Sequence, residues 1–349
     1  MKTSTLKSSI FSLVITSTFC FHSILAVGAP NIQDVSGELQ HGSSLTIRGG
    51  GFGESQAAKH ALWDTVENQP EFEALNSGAD VPTDRGPWER NGSPWAKPVT
   101  LYRGSDQRHQ HSSANYLGLE KAFLGVPSAF SDSTNKNIYV SWWFKPSGDI
   151  NEFGGANKLI RIWDSLDGKD TRISWTQALL GAYKDGSEWD SWAGKSGVWN
   201  RLEIFANGEK GTIKAWTNGK IIHSVSDFEK STIQDGLTVW LIGFDPNYDV
   251  YESLEIKMDD IFISSSPERI ELSTSQYWSE AGSKKEIQPV VSWNDSEISI
   301  KLNLGQFDKN DDLYIYVVTK DESVNENGIR LNNEPCKKCP SSPSSVGIE

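Results

Sequence analysis

Residues 199–222 read WNRLEIFANGEKGTIKAWTNGKII, and this stretch decides the fold class. It contains two short runs rich in β-branched and aromatic residues, from Trp199 to Phe205 and from Thr212 to Trp216, and the start of a third, from Ile221 to Val225. Apolar and polar positions alternate along them, which is typical of half-buried β-strands. Between the last two runs, Asn218-Gly219 favours a tight hairpin turn because both residues tolerate positive φ. The stretch therefore predicts consecutive antiparallel strands.

The same pattern continues through much of the chain. Five further runs are short and rich in β-branched or aromatic residues: Ile138 to Lys145, Leu159 to Trp163, Arg172 to Gln177, Leu237 to Phe244 and Ser253 to Ile263. Helical periodicity is almost absent from this region. Many antiparallel strands in one region of this length predict an all-β sandwich.

The stretch quoted first resembles a concanavalin A-like (laminin G-like) jelly roll, in which a tryptophan opens one strand and an NGK or DGK turn follows the next. Trp199 and Asn218-Gly219-Lys220 match these positions, and Met258 to Ile263 resembles the closing strand. The resemblance covers 135–272, and residues 54–134 join it by position, so the predicted domain spans 54–272. It implies a fold rather than an activity, because lectins, glycosidases, lyases and adhesion modules share this scaffold.

The two ends of the chain carry a second resemblance. Residues 31–53, NIQDVSGELQHGSSLTIRGGGFG, resemble the opening strands of an IPT/TIG domain, which is an immunoglobulin-like sandwich. Segments that resemble its later strands occur only near the other end, at Ile287 to Val291, Ser296 to Leu302 and Asp312 to Val318. Two strands alone cannot bury a core, so we predict one split domain over 30–53 plus 286–333, with the jelly roll inserted. Two unrelated β-segments are the alternative.

The N-terminus predicts secretion to an extracellular or periplasmic compartment. Lys2 and Lys7 precede an apolar stretch and small residues up to Ala29, the pattern of a cleaved signal peptide over 1–29. An uncleaved membrane anchor is the alternative; after cleavage no membrane span is expected. Loss of the two lysines takes the formal net charge from −13 to −15. So acidic a chain is not expected to bind nucleic acid, and it repels polyanionic polysaccharides unless a local basic patch overrides the net charge.

Two connecting segments complete the predicted organisation. Residues 273–285 are expected to form a linker, and the Pro- and Ser-rich residues 334–349 to form a tail. Cys336 and Cys339 lie in this tail with no further cysteine or histidine nearby. A small loop-closing disulfide is therefore favoured over a redox centre or a zinc site.

Tryptophan is the most informative residue for function, because twelve of the fourteen lie between Trp63 and Trp240. Along the run from Ile138, parity assigns Ile138, Val140, Trp142 and Phe144 to the core and the alternate residues to the outer face. Aromatic and charged residues together on an outer face indicate a groove that stacks sugar rings and binds their hydroxyls. The same rule across the strands predicts these ligand-binding residues: Tyr139, Trp143, Lys145, Arg161, Trp163, Glu203 and Trp216. For Trp240 parity gives no assignment, since both neighbouring faces are apolar.

Catalysis is the competing hypothesis. Glu188-Trp189-Asp190 only approximates a glycosidase carboxylate pattern and lies between glycines in a predicted loop, so it is discounted. A polysaccharide lyase acting on an acidic glycan needs a Tyr or His base and a cation that neutralises the uronate. Its candidate residues are Tyr139, His109, His111, Arg161 and Lys145, although the motifs of jelly-roll alginate lyases are absent. A polar loop is the favoured interpretation of His109 and His111, since a metal site there would lack a third ligand.

Metal binding is indicated at one position only. Many concanavalin A-like modules bind calcium, and the resemblance makes Asp259 and Asp260, together with Gly53 or Glu54 near the domain junction, candidates for a structural Ca²⁺ site. An exposed acidic pair is the alternative, and no other cofactor is indicated. Three functions thus remain: a secreted carbohydrate-binding protein, a polysaccharide lyase, or an adhesion module without a sugar site. The residues between Trp63 and Leu119 either complete a site or cap a core.

Overall fold

The runs predicted from alternation form strands, and their apolar faces meet in a central β-sandwich of two antiparallel sheets. The computed structural model describes residues 28–55, 61–151, 155–164, 171–182, 186–229, 236–247 and 250–331. The predicted signal peptide up to residue 27 and the tail with Cys336 and Cys339 lie outside the described residues. None of the helices in the described ranges is long and apolar enough to cross a membrane.

The first layer of the central sandwich is an eight-stranded sheet, with strands numbered in chain order. Across the sheet they are β15 (Lys220–Val225), β14 (Thr212–Thr217), β13 (Asn200–Asn207), β8 (Asn137–Pro146), β17 (Glu255–Ser264), β6 (Asn115–Leu119) and β5 (Thr100–Tyr102), and β3 (Ala61–Asp64) pairs with β17. The predicted turn between β14 and β15 is present, with φ of 52° at Asn218 and 78° at Gly219. These angles are those of the hairpin turn that this dipeptide favours.

The second layer is a seven-stranded sheet. Its order is β12 (Gly186–Trp189), β11 (Leu179–Ala182), β10 (Arg172–Thr176), β9 (Lys158–Asp164), β16 (Leu237–Asp245), β7 (Ala122–Pro127) and β4 (Trp88–Asn91). The two layers meet at large apolar residues: Trp142 of β8 and Trp175 of β10 are fully buried, with ring centroids 5.9 Å apart and nearly perpendicular planes. The predicted core face of β8 is confirmed, since Ile138, Val140 and Phe144 are also buried.

The chain ends form a second, smaller sandwich, the terminal sandwich. One of its sheets has the order β1 (Asn31–Gly37), β2 (Ser44–Gly50), β21 (Glu297–Lys301), β20 (Val290–Trp293), and the other has β19 (Lys285–Gln288), β18 (Arg269–Ser273), β22 (Tyr314–Val318), β23 (Ile329–Arg330). Its core contains Leu45 and Ile47 from one sheet and Ile270, Leu272 and Ile315 from the other. Strands from both ends of the chain therefore share one core.

The terminal sandwich packs against the outer face of the eight-stranded sheet. Tyr139, Phe205 and Phe262 from that face form an apolar cluster with Ile287 of β19. Arg108, in the loop between β5 and β6, donates to both carboxylate oxygens of Glu286 at 2.8 and 3.0 Å. Only the seven-stranded sheet thus keeps an outer face away from this junction.

The structure confirms the all-β sandwich prediction and adds elements that the sequence did not indicate. The short helices are Pro70–Phe72, Ser128–Phe130 and α1 (Trp278–Ala281), the last within the predicted linker. Strand β18 pairs with β19 and β22, so the terminal sandwich begins before the predicted boundary at residue 272. The IPT/TIG and concanavalin A-like assignments stay predictions.

Candidate functional site

The outer face of the seven-stranded sheet carries an aromatic and cationic surface. On β9, Ile160 and Ile162 point into the core, so alternation turns Arg161 and Trp163 outward, where both are half-buried. On β10, Arg172 lies opposite Trp163 and is exposed. Trp163 and its flanking arginines therefore share one face, as parity predicts for Arg161 and Trp163.

Trp240 joins this face because of a β-bulge. Val239 lies opposite Ile162 and Leu241 opposite Arg161, so Trp240 is an extra residue in the pairing of β16 with β9. A bulge places two consecutive residues opposite one on the partner strand and locally breaks the alternation of faces. Trp240 is accordingly half-buried on the outer face, and its indole Nε1 donates to the carbonyl of Asp164 at 2.7 Å.

The two indoles are close together and are flanked by guanidinium groups. The ring centroids of Trp163 and Trp240 lie 5.2 Å apart with planes inclined by 38°. The guanidinium carbon of Arg90 lies 4.1 Å from the centroid of Trp240. Those of Arg161 and Arg172 lie 5.6 and 5.1 Å from the centroid of Trp163. Each cation is within the distance at which a ring quadrupole attracts it.

A glycine brings β7 close to Trp240. Gly125 lies opposite Arg90 on β4, and a Cβ built on Gly125 would lie 2.2 Å from the carbonyl oxygen of Trp240. Any side chain at this position would therefore push the strands apart. Because Gly125 has no side chain, the aliphatic part of Arg90 can pass over it towards the Trp240 indole. The Cδ of Arg90 lies 3.5 Å from the position that a Cβ on Gly125 would take.

A groove of about 400 Å³ runs over these residues, and we call it the tryptophan groove. Its lining consists of Arg90, Gly92, Ser93, Pro94, Trp95, Phe123, Arg161, Trp163, Trp240 and Leu241. Trp95 lies in the loop after β4 and is 63 % exposed, and it also lines a neighbouring groove of about 370 Å³ together with Lys97 and Lys121. A large exposed indole beside two half-buried ones gives the groove three aromatic surfaces.

Several predicted ligand-binding residues lie at the junction of the two sandwiches instead. Tyr139 and Trp143 are on the outer face of β8, as predicted, but they are only 2 % and 7 % exposed, and Tyr139 packs in the cluster with Ile287 of the terminal sandwich. The Tyr139 hydroxyl donates to Glu203 at 2.7 Å, and the guanidinium of Arg108 lies 4.6 Å from the Trp143 ring centroid. Glu203 is itself buried beside Arg201.

The other two predicted ligand-binding residues of the eight-stranded sheet, Trp216 and Lys145, also lie at or beside the junction of the two sandwiches. Trp216 is half-buried at the edge of a cavity of about 140 Å³ between the sandwiches. Lys145 forms an ion pair with Asp106 at 2.7 Å. Of the seven predicted ligand-binding residues, only Arg161 and Trp163 line the tryptophan groove. The seven do not form a single groove, because β9 and β8 belong to opposite layers.

The residues of the lyase hypothesis are not brought together. Arg161 is in the seven-stranded sheet, whereas Tyr139 and Lys145 are in the eight-stranded sheet. Burial and the nearby Glu203 carboxylate raise the pKa of Tyr139, although Arg269 and Arg201 oppose this, so the phenol is poorly suited to act as a base. His111 stacks on the His41 ring with centroids 4.2 Å apart.

The candidate calcium ligands are already committed to protein partners. Asp259 and Asp260 are buried at a bulge in β17, and the Arg108 guanidinium forms an ion pair with Asp260. Asp259 accepts hydrogen bonds from the Ser112 hydroxyl at 2.9 Å and from the Asp260 amide at 2.8 Å. His109 Nε2 lies 3.5 Å from Asp260. A guanidinium occupies the position where a cation would bind, so the pair does not fit Ca²⁺.

The titration of these carboxyls agrees with that arrangement. Burial and the charge of Asp260 raise the pKa of Asp259 well above its usual range. Burial alone would also raise the pKa of Asp260, but the charge of Arg108 and the hydrogen bond from His109 outweigh it and lower the pKa. Across the described ranges, no cluster of three or more His, Cys, Asp or Glu side chains is arranged to hold a metal.

Comparisons with known proteins give no family. No protein-family model matches the chain, and no curated protein matches it. A botulinum neurotoxin type C, whose cell entry depends on interaction with two ganglioside molecules, matches with 13 % identity and a TM-score of 0.33, over 48 % of this chain and 42 % of that one. A sialidase matches with 15 % identity and a TM-score of 0.33, over 55 % of this chain and 19 % of that one.

A third solved structure is shorter. Domain 4 of AbnA, an extracellular arabinanase from Geobacillus stearothermophilus, in complex with arabinotriose, matches with 14 % identity and a TM-score of 0.30, over 49 % of this chain and 85 % of that one. This chain thus spans less than half of the neurotoxin and about a fifth of the sialidase. Likenesses at this level assign no function.

Proposed function

We propose that this protein is secreted and binds carbohydrate through the tryptophan groove. The observation that carries the proposal is the pair of half-exposed indoles, Trp163 and Trp240, with arginines stacked beside them and Trp95 at the rim. The other tryptophans of the same sandwich show the contrast, since Trp88, Trp142 and Trp175 are completely buried. Those three tryptophans are buried because they belong to the core. The tryptophans of the groove remain partly accessible, so core packing does not account for them.

The groove has the chemistry that a sugar requires. The C–H faces of a pyranose ring pack on indole surfaces, and hydroxyl groups at the ring edge accept hydrogen bonds from guanidinium N–H groups. Arginine offers five such donors in a fixed plane. Flat rings with donors at their edges are therefore suited to hold a glycan chain along the groove, and the secretion signal predicted from the sequence supports an extracellular ligand of this kind.

The lining favours binding over catalysis. The ten lining residues that the structure describes include no carboxylate, histidine or tyrosine, so no general base is available among them. The lyase hypothesis consequently has no observation in its favour at this site. It predicts absorbance from an unsaturated uronate when the protein meets acidic polysaccharides, and this measurement accompanies the binding assay.

The test is a glycan array followed by titration of the polysaccharides that bind. Trp163→Ala and Trp240→Ala each remove one stacking surface, and we expect a loss of about five- to a hundredfold in affinity, by analogy with measured stacking of bases on aromatic side chains. Trp189→Ala is the matched control, because Trp189 is 72 % exposed on edge strand β12 and does not line the groove. Unchanged affinity in both groove variants, or an equal loss in the control, would refute the proposed site.

A further inference from the structure

Resting on the proposed function, we infer that the tryptophan groove selects acidic polysaccharides, whose carboxylate or sulfate groups pair with Arg90 and Arg161. The charge of the lining is the first observation. Among the described residues that line the groove, Arg90 and Arg161 are the only charged ones, although the whole chain has a formal net charge of −13. The groove is a local exception to that charge, and it is the kind of basic patch that an acidic chain needs in order to hold a polyanion.

Arg90 provides the second observation, because it is a half-buried cation with no counter-ion. Among the described residues no carboxylate and no hydrogen-bond acceptor contacts its guanidinium, which lies against the Trp240 ring. Burial lowers the pKa of Arg90, which expresses the unfavourable loss of water around the charge. A bound anion would compensate that loss through a bidentate pair, whereas a neutral hydroxyl would do so only in part.

Arg161 is compensated only in part. Its nearest carboxylate oxygen, on Asp245, lies 3.3 Å from one terminal nitrogen. Burial and the neighbouring charge of Arg172 lower the pKa of Arg161, although Asp245 opposes this. Burial and the charge of Arg161 lower the pKa of Lys158 on the same strand, although Asp245 opposes this. Like charges held together on one face repel each other, and this repulsion is relieved when an anion binds between them.

The cations flank both ends of the aromatic floor. The guanidinium of Arg90 lies over Trp240, those of Arg161 and Arg172 lie over Trp163, and the centroids of the two rings are 5.2 Å apart. A sugar stacked on either ring would therefore present an acidic substituent at its edge to a guanidinium. Single-stranded nucleic acid also combines flat rings with negative charge, but its continuous phosphate chain needs a broad basic surface that a chain of net charge −13 does not offer.

The experiment uses matched polysaccharides that differ only in charge. The purified mature protein is titrated with polygalacturonate and its carboxyl-reduced neutral form, and with dextran sulfate and dextran, at about 50 and 500 mM NaCl. We expect at least one acidic member to bind about tenfold or more tightly than its neutral partner, as charge-assisted hydrogen bonds would give. The preference should shrink at high salt, where charges are screened beyond about 3 to 5 Å.

Substitutions then assign the preference to the arginines. Arg90→Gln and Arg161→Gln should reduce affinity for the acidic polymer to near that for the neutral one, and Arg85→Gln, on an exposed arginine paired with Asp84, should change neither. If a groove variant fails to fold, the salt dependence of the unmodified protein still decides whether the preference is electrostatic, and a preference that does not shrink at high salt would overturn the inference. A preference for polygalacturonate over its carboxyl-reduced form indicates a uronate ligand, and a preference for dextran sulfate over dextran indicates a sulfated one.

The outcomes separate this inference from the proposed function. Equal binding of acidic and neutral partners, with loss in Trp163→Ala, would overturn the acidic selectivity and leave carbohydrate binding intact. Absence of binding to every polysaccharide, on the array and in titration, would overturn both. Single-stranded DNA bound as tightly as the best acidic glycan would overturn the selectivity in favour of a nucleic-acid ligand.

Discussion

The buried ion pair between Arg201 and Glu271 makes the junction of the two sandwiches testable. Arg201 of β13 donates to both carboxylate oxygens of Glu271 of β18, at 2.8 and 2.6 Å, and the side chains are 1 % and 0 % exposed. Arg269 donates to the same carboxylate at 2.7 Å. Glu271→Gln keeps the shape of the side chain and removes its charge. It leaves two buried guanidinium groups, for which Glu203 is the one other carboxylate that the described residues place within ion-pair distance.

The expected loss follows from this geometry. Removing one partner of a buried pair typically costs about 3–5 kcal/mol, because the other charge stays buried without compensation. Glu203 still lies 3.2 Å from Arg201, which places the expectation at the lower end, about 3 kcal/mol. That loss corresponds to roughly a hundredfold change in the unfolding equilibrium constant. It is measured by urea unfolding at pH 7, followed by tryptophan fluorescence.

The pH dependence of the same variant provides a second measurement. Burial would raise the pKa of Glu271, but the charges of Arg201 and Arg269 outweigh it and lower the pKa to about 2, from 4.5. A depressed folded pKa contributes stability that is present above pH 4.5 and is lost as the pH falls towards 2. The difference between the unmodified protein and Glu271→Gln should therefore shrink over that interval.

The control is the same substitution in an exposed pair. Arg48 and Glu297 form an ion pair at 3.0 Å, with side chains 51 % and 46 % exposed. Such pairs contribute about 0–1 kcal/mol, so Glu297→Gln should scarcely change the unfolding midpoint. If Glu271→Gln loses no more stability than Glu297→Gln, the buried charges do not hold the sandwiches together and the reasoning fails.

Further predictions concern a titrating carboxyl, a close strand contact and a turn. Burial and nearby carboxylates raise the pKa of Glu67 from 4.5 to about 8, so its contribution to stability is lost as the pH rises between these values. Glu67→Gln should therefore become more stable relative to the unmodified protein at pH 8 than at pH 5, unlike exposed Glu71→Gln; parallel pH profiles would contradict this. Gly125→Ala should lower the thermal midpoint and weaken glycan binding, because the methyl group meets the Trp240 carbonyl; an unaltered midpoint speaks against that contact. Asn218→Ala should destabilise by about 1–2 kcal/mol in urea and Asn218→Gly by less, since φ is positive there; equal losses would exclude the turn explanation.

Local alternation predicted the strands well but predicted their surroundings poorly. All eight runs assigned in the central region are strands, because a strand's two faces are specified by neighbouring residues. Parity also identified the outer face of β8. What covers that face is decided by β19, whose Ile287 contacts Tyr139 and Phe205 from more than 80 positions away along the chain. No pattern within β8 reports that contact, so Tyr139 and Trp143 resembled ligand-binding residues.

For a related reason, only part of the tryptophan groove could be predicted from the sequence. Arg161 and Trp163 follow strict alternation on β9. Trp240 does not, because an inserted residue shifts the faces of β16, and its apolar neighbours mask the shift in the sequence. Arg90 reaches the groove from β4, a short strand in the region without regular alternation. The sequence pattern therefore identified β9 and its two lining residues, whereas Trp240 and Arg90 could be placed in the groove only from the structure.

The shared core of the chain ends has a consequence for the order of folding. Strand β2 pairs with β21, and the Arg48–Glu297 contact joins residues 249 positions apart. At synthesis rates of about 5–20 residues per second, β2 exists for about 12 to 50 s before its second partner, β21. The central sandwich is complete earlier, since all of its strands precede residue 265. β1 and β2 can pair with each other as soon as they are made, but the second edge of β2 stays open until β21 follows, and an open strand edge is a site for aggregation.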